Sequence, residues 1–451
     1  MIFHILFAVS VVLAVSSLGI AEDDFSPQSV QNWAQWRGPH FNGTSPEGTP
    51  PITWSETENI RWQRDIPGRG SGSPIIWGNQ LFLVTAVATD KQAENLPEKP
   101  AKEQAGGRRL ALDAPTVYYQ FIVMCLDRMT GETIWEHVAR EAVPHEGGHP
   151  TNTFASGSPV TDGKRLYVSF GTYGVYCYDL NGELKWSRDL GKMETRNDFG
   201  EANTPALYGN TLVIPWDHEQ QSFIVALDAK TGETNWKVDR DEPTTWATPL
   251  ITTADGVTQV VTNGTNRVRS YNIQNGELLW ECGGQATNPI ACPVRYENLA
   301  IAMTGYRGYA IYAVPLSARG DVTDSDRIAW KRTDTGPYIS SPMLSNGTLY
   351  VTKGRDAIVS GLNPHSGETI IEQTRIPGLG TLYASPVSAA GRLYYTDREG
   401  TTVVLEDGPE LKVLATNHLK EVIDASPAII GRQMYLRGEH RVFCVEDLSS
   451  E

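Results

Sequence analysis

Two histidines, His145 and His149, stand in the glycine-rich stretch HEGGHPTNTF. Together with Asp217 and His218 from a later segment they could form a zinc site, because imidazole and carboxylate groups are common zinc ligands. On a helix this spacing would place both rings on one face, but a glycine-rich loop fixes no such geometry. A solvated, hydrogen-bonding loop is therefore the favoured interpretation, and zinc binding is the alternative.

Oxygen donors in the same part of the chain offer a second kind of metal site. Glu201, Asn203 and Asp217 carry the carboxylate and amide groups that a hard cation such as calcium prefers. The same residue types are also common in turns and at the surface, and we favour that interpretation. The sequence thus leaves the metal unknown.

Aromatic and basic side chains could hold a ligand without a metal. Trp216 and Trp246 could stack on a planar ligand or pack inside the protein. Four basic residues in separate loops could pair with an acidic ligand, or could form a solvated rim. We predict ligand contacts for one set of side chains and assign no catalytic residue. The set is His145, His149, Arg196, Glu201, Asn203, Trp216, Asp217, His218, Trp246, Arg307, Lys353 and Arg398.

A repeated phrase identifies the elements that must position these residues. An Asp or Asn, a turn ending in Gly-Glu and then a Trp recur in DRMTGETIW, DLNGELKW, DAKTGETNW and NIQNGELLW, and without the Trp in NPHSGETII. The glycine permits a positive φ in a hairpin, and the tryptophan offers a large surface to a neighbouring unit. Because the phrase recurs in unit after unit, we assign it to the scaffold rather than to an active site.

A second marker, a small residue followed by proline, counts the units. The small residues of the pairs are Ser73, Ser158, Thr204, Thr248, Cys292, Ser341, Ser385 and Ser426. Most successive pairs are about 44 residues apart, which is the period of a propeller blade. Each unit contains short strands joined by tight turns, which predicts a four-stranded antiparallel sheet.

The two ends of the chain complete each other. The last unit lacks its fourth strand, whereas the early segment NIRWQRDIPG, residues 59–68, resembles a fourth strand without a unit of its own. Pairing them would close a ring and remove exposed sheet edges. The sequence therefore predicts an all-β fold: an eight-bladed β-propeller of four-stranded antiparallel blades, closed by an N-terminal strand.

The predicted propeller spans residues 58–451 and follows a leader, residues 22–57, without an obvious strand pattern. Its polar insertion at 88–117 is a loop by composition, and a smaller insertion lies near 317–327. In a propeller, the loops from strand four to the next strand one and from strand two to three meet on one face around the channel. We expect any grafted site on that face.

The N-terminal stretch ILFAVSVVLAVSSLGI predicts a signal peptide, residues 1–21, that is cleaved near Ala21. The expected product is an exported protein, periplasmic or extracellular, without a membrane span; an uncleaved anchor is the alternative. A formal charge of −15 argues against a nucleic-acid partner. Cys125, Cys177 and Cys444 occupy one repeat slot, which predicts buried free thiols rather than disulfides.

The phrase and the markers together resemble the pyrroloquinoline-quinone-type (PQQ-like) propeller repeat. The best copy joins Ala226, Asp228, Thr231, Gly232, Glu233 and Trp236, and the resemblance covers nearly all of the mature chain. Calcium- and quinone-dependent alcohol and sugar dehydrogenases share this repeat, as do non-catalytic scaffolds such as the lipoprotein of the outer-membrane β-barrel assembly machinery. The chain departs from the alcohol dehydrogenases in having no adjacent Cys-Cys pair, and from that lipoprotein in having no acylated cysteine.

The expected function is a non-catalytic binding or scaffold module that takes a protein partner or a small ligand on its loop-rich channel face, with no cofactor. The alternative is a calcium- and pyrroloquinoline-quinone-dependent dehydrogenase of alcohols or sugars. In that case the resemblance implies calcium as Lewis acid, an aspartate such as Asp217 or Asp397 as base, and basic residues that hold the quinone carboxylates.

Overall fold

The computed structural model describes residues 31–96, 112–202 and 204–449. Eight small antiparallel sheets form a ring, which confirms the predicted eight-bladed β-propeller. Helical structure in the described residues is limited to two 3-10 turns, Gly171–Tyr173 and Arg196–Asp198. The described residues contain no helix of the length and apolar character that a membrane span requires. The predicted signal peptide lies outside the described residues.

Two strands precede the first blade: β1 (Thr44–Ser45) and β2 (Ile60–Asp65). Blade 1 comprises β3 (Ile75–Trp77), β4 (Gln80–Gln92), β5 (Val117–Asp127) and β6 (Thr133–Ala142). Blade 2 comprises β7 (Val160–Thr161), β8 (Arg165–Ser169), β9 (Val175–Asp179) and β10 (Leu184–Arg188). Blade 3 comprises β11 (Ala206–Tyr208), β12 (Thr211–Trp216), β13 (Ser222–Asp228) and β14 (Thr234–Arg240). Blade 4 comprises β15 (Leu250–Ala254), β16 (Val257–Thr262), β17 (Arg267–Asn272) and β18 (Leu278–Gly283).

Blade 5 comprises β19 (Val294–Tyr296), β20 (Leu299–Thr304), β21 (Ala310–Pro315) and, after the short β22 (Gly320–Asp321), β23 (Trp330–Arg332). Blade 6 follows the short β24 (Gly336–Pro337) with β25 (Met343–Ser345), β26 (Thr348–Gly354), β27 (Asp356–Leu362) and β28 (Thr369–Arg375). Blade 7 comprises β29 (Val387–Ala389), β30 (Arg392–Thr396), β31 (Thr401–Glu406) and β32 (Val413–His418). Blade 8 has β33 (Ala428–Ile430), β34 (Gln433–Arg437) and β35 (Arg441–Glu446).

The N-terminal strand closes the ring, as predicted. β2 pairs antiparallel with β35, with Trp62 opposite Cys444, and so becomes the fourth strand of blade 8. This pairing joins the two ends of the propeller and covers the edge that β35 would otherwise expose.

The repeated phrase holds neighbouring blades together. The Trp236 indole packs on Gly276 of the next blade, so closely that a Cβ added to the glycine would lie 2.7 Å from the ring. The Trp236 Nε1 donates to the Ile273 carbonyl at 2.7 Å. The glycine has a φ of +75°, so both its backbone angle and its lack of a side chain are required. The same contact recurs where Trp62, Trp135, Trp186 and Trp330 meet the next turn. The prediction that the phrase is a scaffold element is confirmed.

The small-Pro markers form a second ring, around the channel. The Ser73 backbone N–H donates to the Ser158 hydroxyl at 2.9 Å, and the Ser158 N–H donates to the Thr204 hydroxyl at 2.9 Å. On the other side, the Ser385 N–H donates to Ser426, whose own N–H donates back to Ser73 at 2.8 Å. A small side chain with a hydroxyl therefore fits this slot, because it accepts the hydrogen bond that the previous blade donates.

The hydrophobic core lies between adjacent blades, in a series of clusters that each combine side chains of neighbouring sheets. All five cysteines are buried and free, which confirms the prediction for Cys125, Cys177 and Cys444. Burial raises the pKa of the Cys125, Cys177 and Cys444 thiols to about 12, so these thiols are protonated at neutral pH.

Both insertions differ from a plain loop. β4 continues to Gln92 and pairs with β5 through Ala88–Tyr119, so the predicted loop boundary at residue 88 falls within a hairpin. Residues 97–111 of that insertion lie outside the described residues. The second insertion supplies β22, which pairs parallel with β18 of blade 4 and covers its outer edge. Polar composition did not reveal these strand extensions, since exposed edge strands carry polar side chains.

The leader seals one end of the channel. Residues 33–49 cross from blade to blade. Their backbone forms hydrogen bonds with the first strand of several blades, close to the turn that joins it to the second strand. The backbone pairs are Trp33–Ile76, Ala34–Thr161, Asn42–Leu344, Gly43–Ser388 and Thr49–Gly431. Because it contacts several blades in succession instead of pairing along one, it shows no strand periodicity in the sequence.

Candidate functional site

A blind cavity occupies the other end of the channel. Its volume is about 580 Å³, and it opens on the face where the four-to-one and two-to-three loops meet, as predicted. Each blade contributes the residue two positions before its small-Pro marker. These residues are Ser71, Ser156, Ala202, Trp246, Ile290, Ile339, Tyr383 and Asp424. One repeat position therefore lines the cavity in all eight units, and its side chain differs around the ring.

The wall has two chemically different sides. Blades 4 to 7 contribute the large apolar and aromatic members of the ring, and Tyr306 and Tyr338 add a stacked pair with ring centroids 4.6 Å apart. Blades 8, 1 and 2 contribute an acid and two serines, close to the polar side chains of Thr151 and Asn152. A bound molecule would therefore meet ring surfaces on one side and hydrogen-bonding groups on the other.

The cavity lining carries two cations, Lys353 and Arg355, and two carboxylates, Asp356 and Asp424, and Arg398 adds a third cation at its border. Lys353 lines the cavity and donates to the neutral Gln373 amide at 3.0 Å, and Arg355 lies beside it. Arg398 binds the cavity carboxylate Asp424 through two hydrogen bonds of 2.6 and 3.0 Å. Burial raises the pKa of the Asp424 carboxyl, although the charge of Arg398 acts in the opposite direction.

His149 lies on a loop that lines the mouth of the cavity. Its Nδ1 bonds to the Thr151 hydroxyl at 2.8 Å, and that hydroxyl reaches Tyr383 of blade 7 at 3.3 Å. Burial, followed by the charges of Arg355 and Arg398, lowers the pKa of His149. The effect of both arginines on this ring shows that the loop shares the positive field of the cavity.

Two buried arginines lie close to the channel without a carboxylate partner among the described residues. Arg37 of the leader donates to the carbonyls of Pro342 and Pro386, and burial lowers its pKa to about 10. Arg437 of blade 8 donates to the Gly72 carbonyl at 2.9 Å, next to the cavity residue Ser71, and burial lowers its pKa to about 9. Its Nε and Nη2 have no hydrogen-bond partner among the residues described.

Of the predicted ligand-binding residues, His149, Trp246 and Lys353 line the cavity. Arg398 borders it, because its guanidinium lies 4.4 Å from the Tyr383 ring and pairs with Asp424. These four residues come from blades that are distant in sequence, and the ring brings them together.

Several other predicted residues serve the fold in this structure. Trp216 is buried and stacks on Phe223 of the neighbouring strand with centroids 5.9 Å apart. Both belong to a core cluster shared by blades 2 and 3. Asp217 is 1% exposed and pairs with Arg240 through hydrogen bonds of 2.7 and 3.1 Å. His218 bonds through its Nε2 to the Gln221 carbonyl at 3.1 Å.

The remaining two basic candidates stay outside the cavity lining. Arg196 lies in a 3-10 turn, and its backbone N–H donates to the Thr244 hydroxyl at 2.9 Å. Arg307 is exposed, with its guanidinium 5.3 Å from the Tyr306 ring. Asn203 lies outside the described residues.

His145 and Glu201 meet Glu146 in a compact group, whose potential ligand atoms all lie within 4.8 Å of one another. Both His145 ring nitrogens are used: Nε2 donates to the Met193 carbonyl at 2.6 Å, and Nδ1 accepts from the Tyr173 hydroxyl at 2.9 Å. Burial raises the pKa of Glu201 to about 8, and its oxygens accept from the N–H and hydroxyl of Thr172. The His145 ring nitrogens and the Glu201 oxygens thus bond to protein groups in this structure, and the group forms a hydrogen-bonded network.

The calcium set expected for a quinone enzyme does not come together in the described residues. Asp217 is held by Arg240, whereas Glu201 belongs to the group around His145. Asp397, the other candidate base, accepts from the backbone N–H groups of Gly380 and Thr401 at 2.8 Å each. The cavity carboxylates stand next to Lys353, Arg355 and Arg398, a field that opposes a divalent cation.

Sequence reasoning missed much of the aromatic wall, Tyr338 and Tyr383 in particular, and also Asp424. A usable signal was present, because Trp246 was already a candidate and stands two residues before its marker. Counting back two residues from each of the other markers would have found the whole ring. No such signal exists for Arg437, whose position depends on the packing of blade 8 against blade 1.

The profile of one protein family, described as outer membrane protein assembly factor BamB, matches residues 119–373, which is more than half of the chain. Among solved structures, BamB from Moraxella catarrhalis has a TM-score of 0.52 and 15% identity over 80% of this chain and 99% of that chain. The quinohemoprotein alcohol dehydrogenase ADHIIG from Pseudomonas putida HK5 has a TM-score of 0.57 and 10% identity over 93% of this chain and 80% of that chain. That from Comamonas testosteroni has a TM-score of 0.57 and 8% identity over 92% and 80%.

No curated protein sequence matches the chain. The structural neighbours include scaffold and dehydrogenase alike, and identities this low show a common fold alone. The family match, together with the blade phrase and the closed ring, shows that the chain is a PQQ-like β-propeller that belongs to the family described as outer membrane protein assembly factor BamB.

Proposed function

We propose that this chain is an exported, non-catalytic binding protein that takes its ligand in the blind cavity of the channel face. The observation that carries the proposal is the ring of eight lining residues, which occupy one repeat position and differ from blade to blade. The repeat restricts the marker itself to small residues, but it places no such restriction two residues earlier. Side chains freed from packing and gathered around one cavity are the arrangement expected of a binding site.

A cavity closed at its floor favours a small ligand, or one end of a larger one, over a strand that passes through the channel. Its volume of about 580 Å³ falls in the range of small-molecule sites. A protein partner on the surrounding loops is the second form of the proposal. The family description, which names an assembly factor, supports it.

The dehydrogenase alternative has less support from the described residues. The candidate bases Asp217 and Asp397 are engaged in structural hydrogen bonds, and the expected oxygen ligands are not brought together. Export is supported by the apolar N-terminal stretch, which has the length and the small-residue ending of a signal peptide.

The test is to identify what the cavity retains. Full-length protein purified from its natural compartment is denatured, and the released small molecules are compared by mass spectrometry among variants. Ala202→Trp and Ile290→Trp each fill the cavity, whereas Leu278→Trp adds an indole on an exposed outer strand as the matched control. We expect a molecule that wild type and Leu278→Trp release and both cavity variants lack.

A second assay addresses the alternative directly. The protein is given calcium and pyrroloquinoline quinone, and dye reduction is followed with alcohols and sugars. We expect no turnover above the level without protein. Turnover that depends on the quinone and disappears in Ala202→Trp would make the chain an enzyme and overturn the proposal.

A further inference from the structure

We propose that the ligand of the cavity is an acidic sugar chain, a short oligosaccharide that carries carboxylate groups. This inference rests on the proposed function, because it assumes that the cavity is the binding site. It is carried by three features of the wall: ring surfaces, hydroxyl and amide groups, and an excess of one cation when Arg398 is counted with the lining residues.

The ring surfaces suit a sugar. Trp246, Tyr383 and the stacked pair Tyr306–Tyr338 lie on the same cavity wall. The face of an aromatic ring carries partial negative charge and attracts polarised C–H groups. A pyranose ring presents such C–H groups on its faces, so an aromatic face that is open to the cavity offers a platform for a sugar unit.

The opposite wall suits the sugar hydroxyls. Ser71, Ser156, Thr151 and Asn152 present hydroxyl and amide groups there. A hydroxyl both donates and accepts, and an amide does the same with separate atoms, which matches the two roles of a sugar hydroxyl. In this structure these groups hydrogen-bond to one another, for example Ser71 to Ser156 at 2.8 Å. Sugar hydroxyls can join such a network, whereas a flat aromatic acid has no hydroxyls to do so, and the polar wall therefore favours a sugar.

The cations require an acid. Lys353 and Arg355 stand at the mouth together with the carboxylate Asp356, whereas the other lining carboxylate, Asp424, is paired with Arg398. Lys353 donates to the neutral Gln373 amide. Arg437 is 1% exposed and lies behind the wall at Ser71, with two guanidinium nitrogens that have no partner among the described residues. The charges of Arg355 and Arg398 lower the pKa of His149, which indicates a positive field at the mouth. Arginine and lysine are the groups that recognise carboxylates.

The shape points to more than one sugar unit. A second cavity of about 380 Å³ shares His149 and Asn152 with the first, so the two are neighbours on the same face. Its lining includes the aromatic side chains Tyr119 and Phe154, the carboxylate Asp113, and Arg69, which is paired with Glu439. An extended chain fills both cavities, whereas a single sugar fills only one.

Isothermal titration calorimetry of the full chain with three probes tests the inference: trigalacturonate, the neutral maltotriose, and naphthoate as a flat aromatic acid. We expect trigalacturonate to bind, with the other two at least about tenfold weaker, since a charge-assisted hydrogen bond accounts for that factor. Added salt weakens the binding, because part of it is electrostatic.

Variants locate the binding. Lys353→Met and Arg355→Gln each lower the affinity for trigalacturonate about tenfold, by loss of one charged contact. Arg375→Gln removes a positive charge from the exposed outer strand of the same blade and leaves the affinity unchanged. If all three variants lower the affinity equally, the effect comes from the net charge of the protein rather than from contacts in the cavity, and the argument from the cations fails.

The outcomes separate this inference from the proposed function. Equal binding of maltotriose, preference for naphthoate, or binding of none of the three overturns the acidic-sugar inference alone. The proposed function then still depends on the molecule that co-purifies with wild type. Trigalacturonate binding that survives in both Ala202→Trp and Ile290→Trp would place the site elsewhere, and both proposals would fail.

Discussion

The substitution Asp217→Asn separates a structural aspartate from a catalytic one. Asp217 lies in a loop where a catalytic base was conceivable, but its carboxylate accepts from Arg240 Nε and Nη2 and from the Thr245 hydroxyl at 2.7 Å. Asparagine has nearly the same shape, yet it loses the negative charge and turns one acceptor into a donor that faces Arg240. We expect a large loss of stability and no loss of ligand binding.

The size of the loss follows from the burial of the pair. Arg240 is 4% exposed and Asp217 is 1% exposed, and removal of one partner of such a pair costs about 3–5 kcal/mol. Arg240 keeps two other acceptors, the Thr262 hydroxyl at 2.9 Å and the Tyr271 hydroxyl at 2.8 Å. The carboxylate of Glu242 also acts on its charge. These groups place the expected loss at the lower end of the range, about 3 kcal/mol.

The chain supplies a matched control. Asp228→Asn makes the same chemical change in the repeated turn, where Asp228 accepts from the N–H groups of Lys230 and Thr231. Asn272 and Asn363 already occupy this slot in other blades and accept the same kind of hydrogen bond at 2.9 Å. The control should therefore lose less than about 0.5 kcal/mol, as ordinary surface changes do.

Guanidinium denaturation followed by tryptophan fluorescence measures the stability, and hydrogen exchange locates the effect. We expect faster exchange at β12, β14 and the facing strand β16, with other blades close to wild type. The reasoning is refuted if Asp217→Asn remains as stable as Asp228→Asn and instead loses ligand binding or quinone-dependent dye reduction. In that case the carboxylate would act on a ligand, and the pair with Arg240 would be secondary.

Two further predictions concern burial. The pKa of Glu201 is about 8 in the folded state and 4.5 in the unfolded state, so the folded state binds more protons between these values. The free energy of unfolding therefore falls as the pH rises from 5 to 8, by at most about 1.4 kcal/mol per pH unit. Glu201→Gln should flatten this slope of melting temperature against pH, and the exposed Glu183→Gln should not. Trp236→Ala removes the packing on Gly276 and a hydrogen bond to Ile273, so denaturation should show a loss of about 3–5 kcal/mol. A loss below about 1 kcal/mol would contradict the docking role of the indole.

Most of the fold can be predicted from the sequence because each blade repeats the same short sequence patterns. The Gly-Glu turn, the Trp that follows it and the small-Pro marker are short-range patterns, and their recurrence fixes the number of sheets. Closure by β2 is also readable, since a strand with Trp62 precedes the first unit and the last unit lacks one. The leader is not readable, because its contacts run across blades and leave no period.

The site was harder to predict than the fold. A side chain that departs from the repeat can do so for one of two reasons: it has a structural partner inside the blade, or it faces the cavity. Trp216 and Asp217 differ from the phrase and appear in loops, but their partners, Phe223 and Arg240, lie on strands whose facing relation follows only from the sheet register. Trp246 differs for the other reason, since it faces the cavity. Residue type and position in a loop do not distinguish a structural side chain from one that faces the cavity. The number of residues before the small-Pro marker does distinguish them.

That distance also explains how one scaffold can carry a site without losing its packing. The marker residue is small in every unit, which restricts it. It also accepts a hydrogen bond from the previous blade at Ser73, Ser158, Thr204, Ser341, Ser385 and Ser426. Two residues earlier the chain reaches the cavity, where no neighbouring blade limits the size of the side chain. Substitution there changes the ligand surface while the hydrogen-bonded ring stays intact. Such changes can alter which ligand binds without altering how the blades assemble.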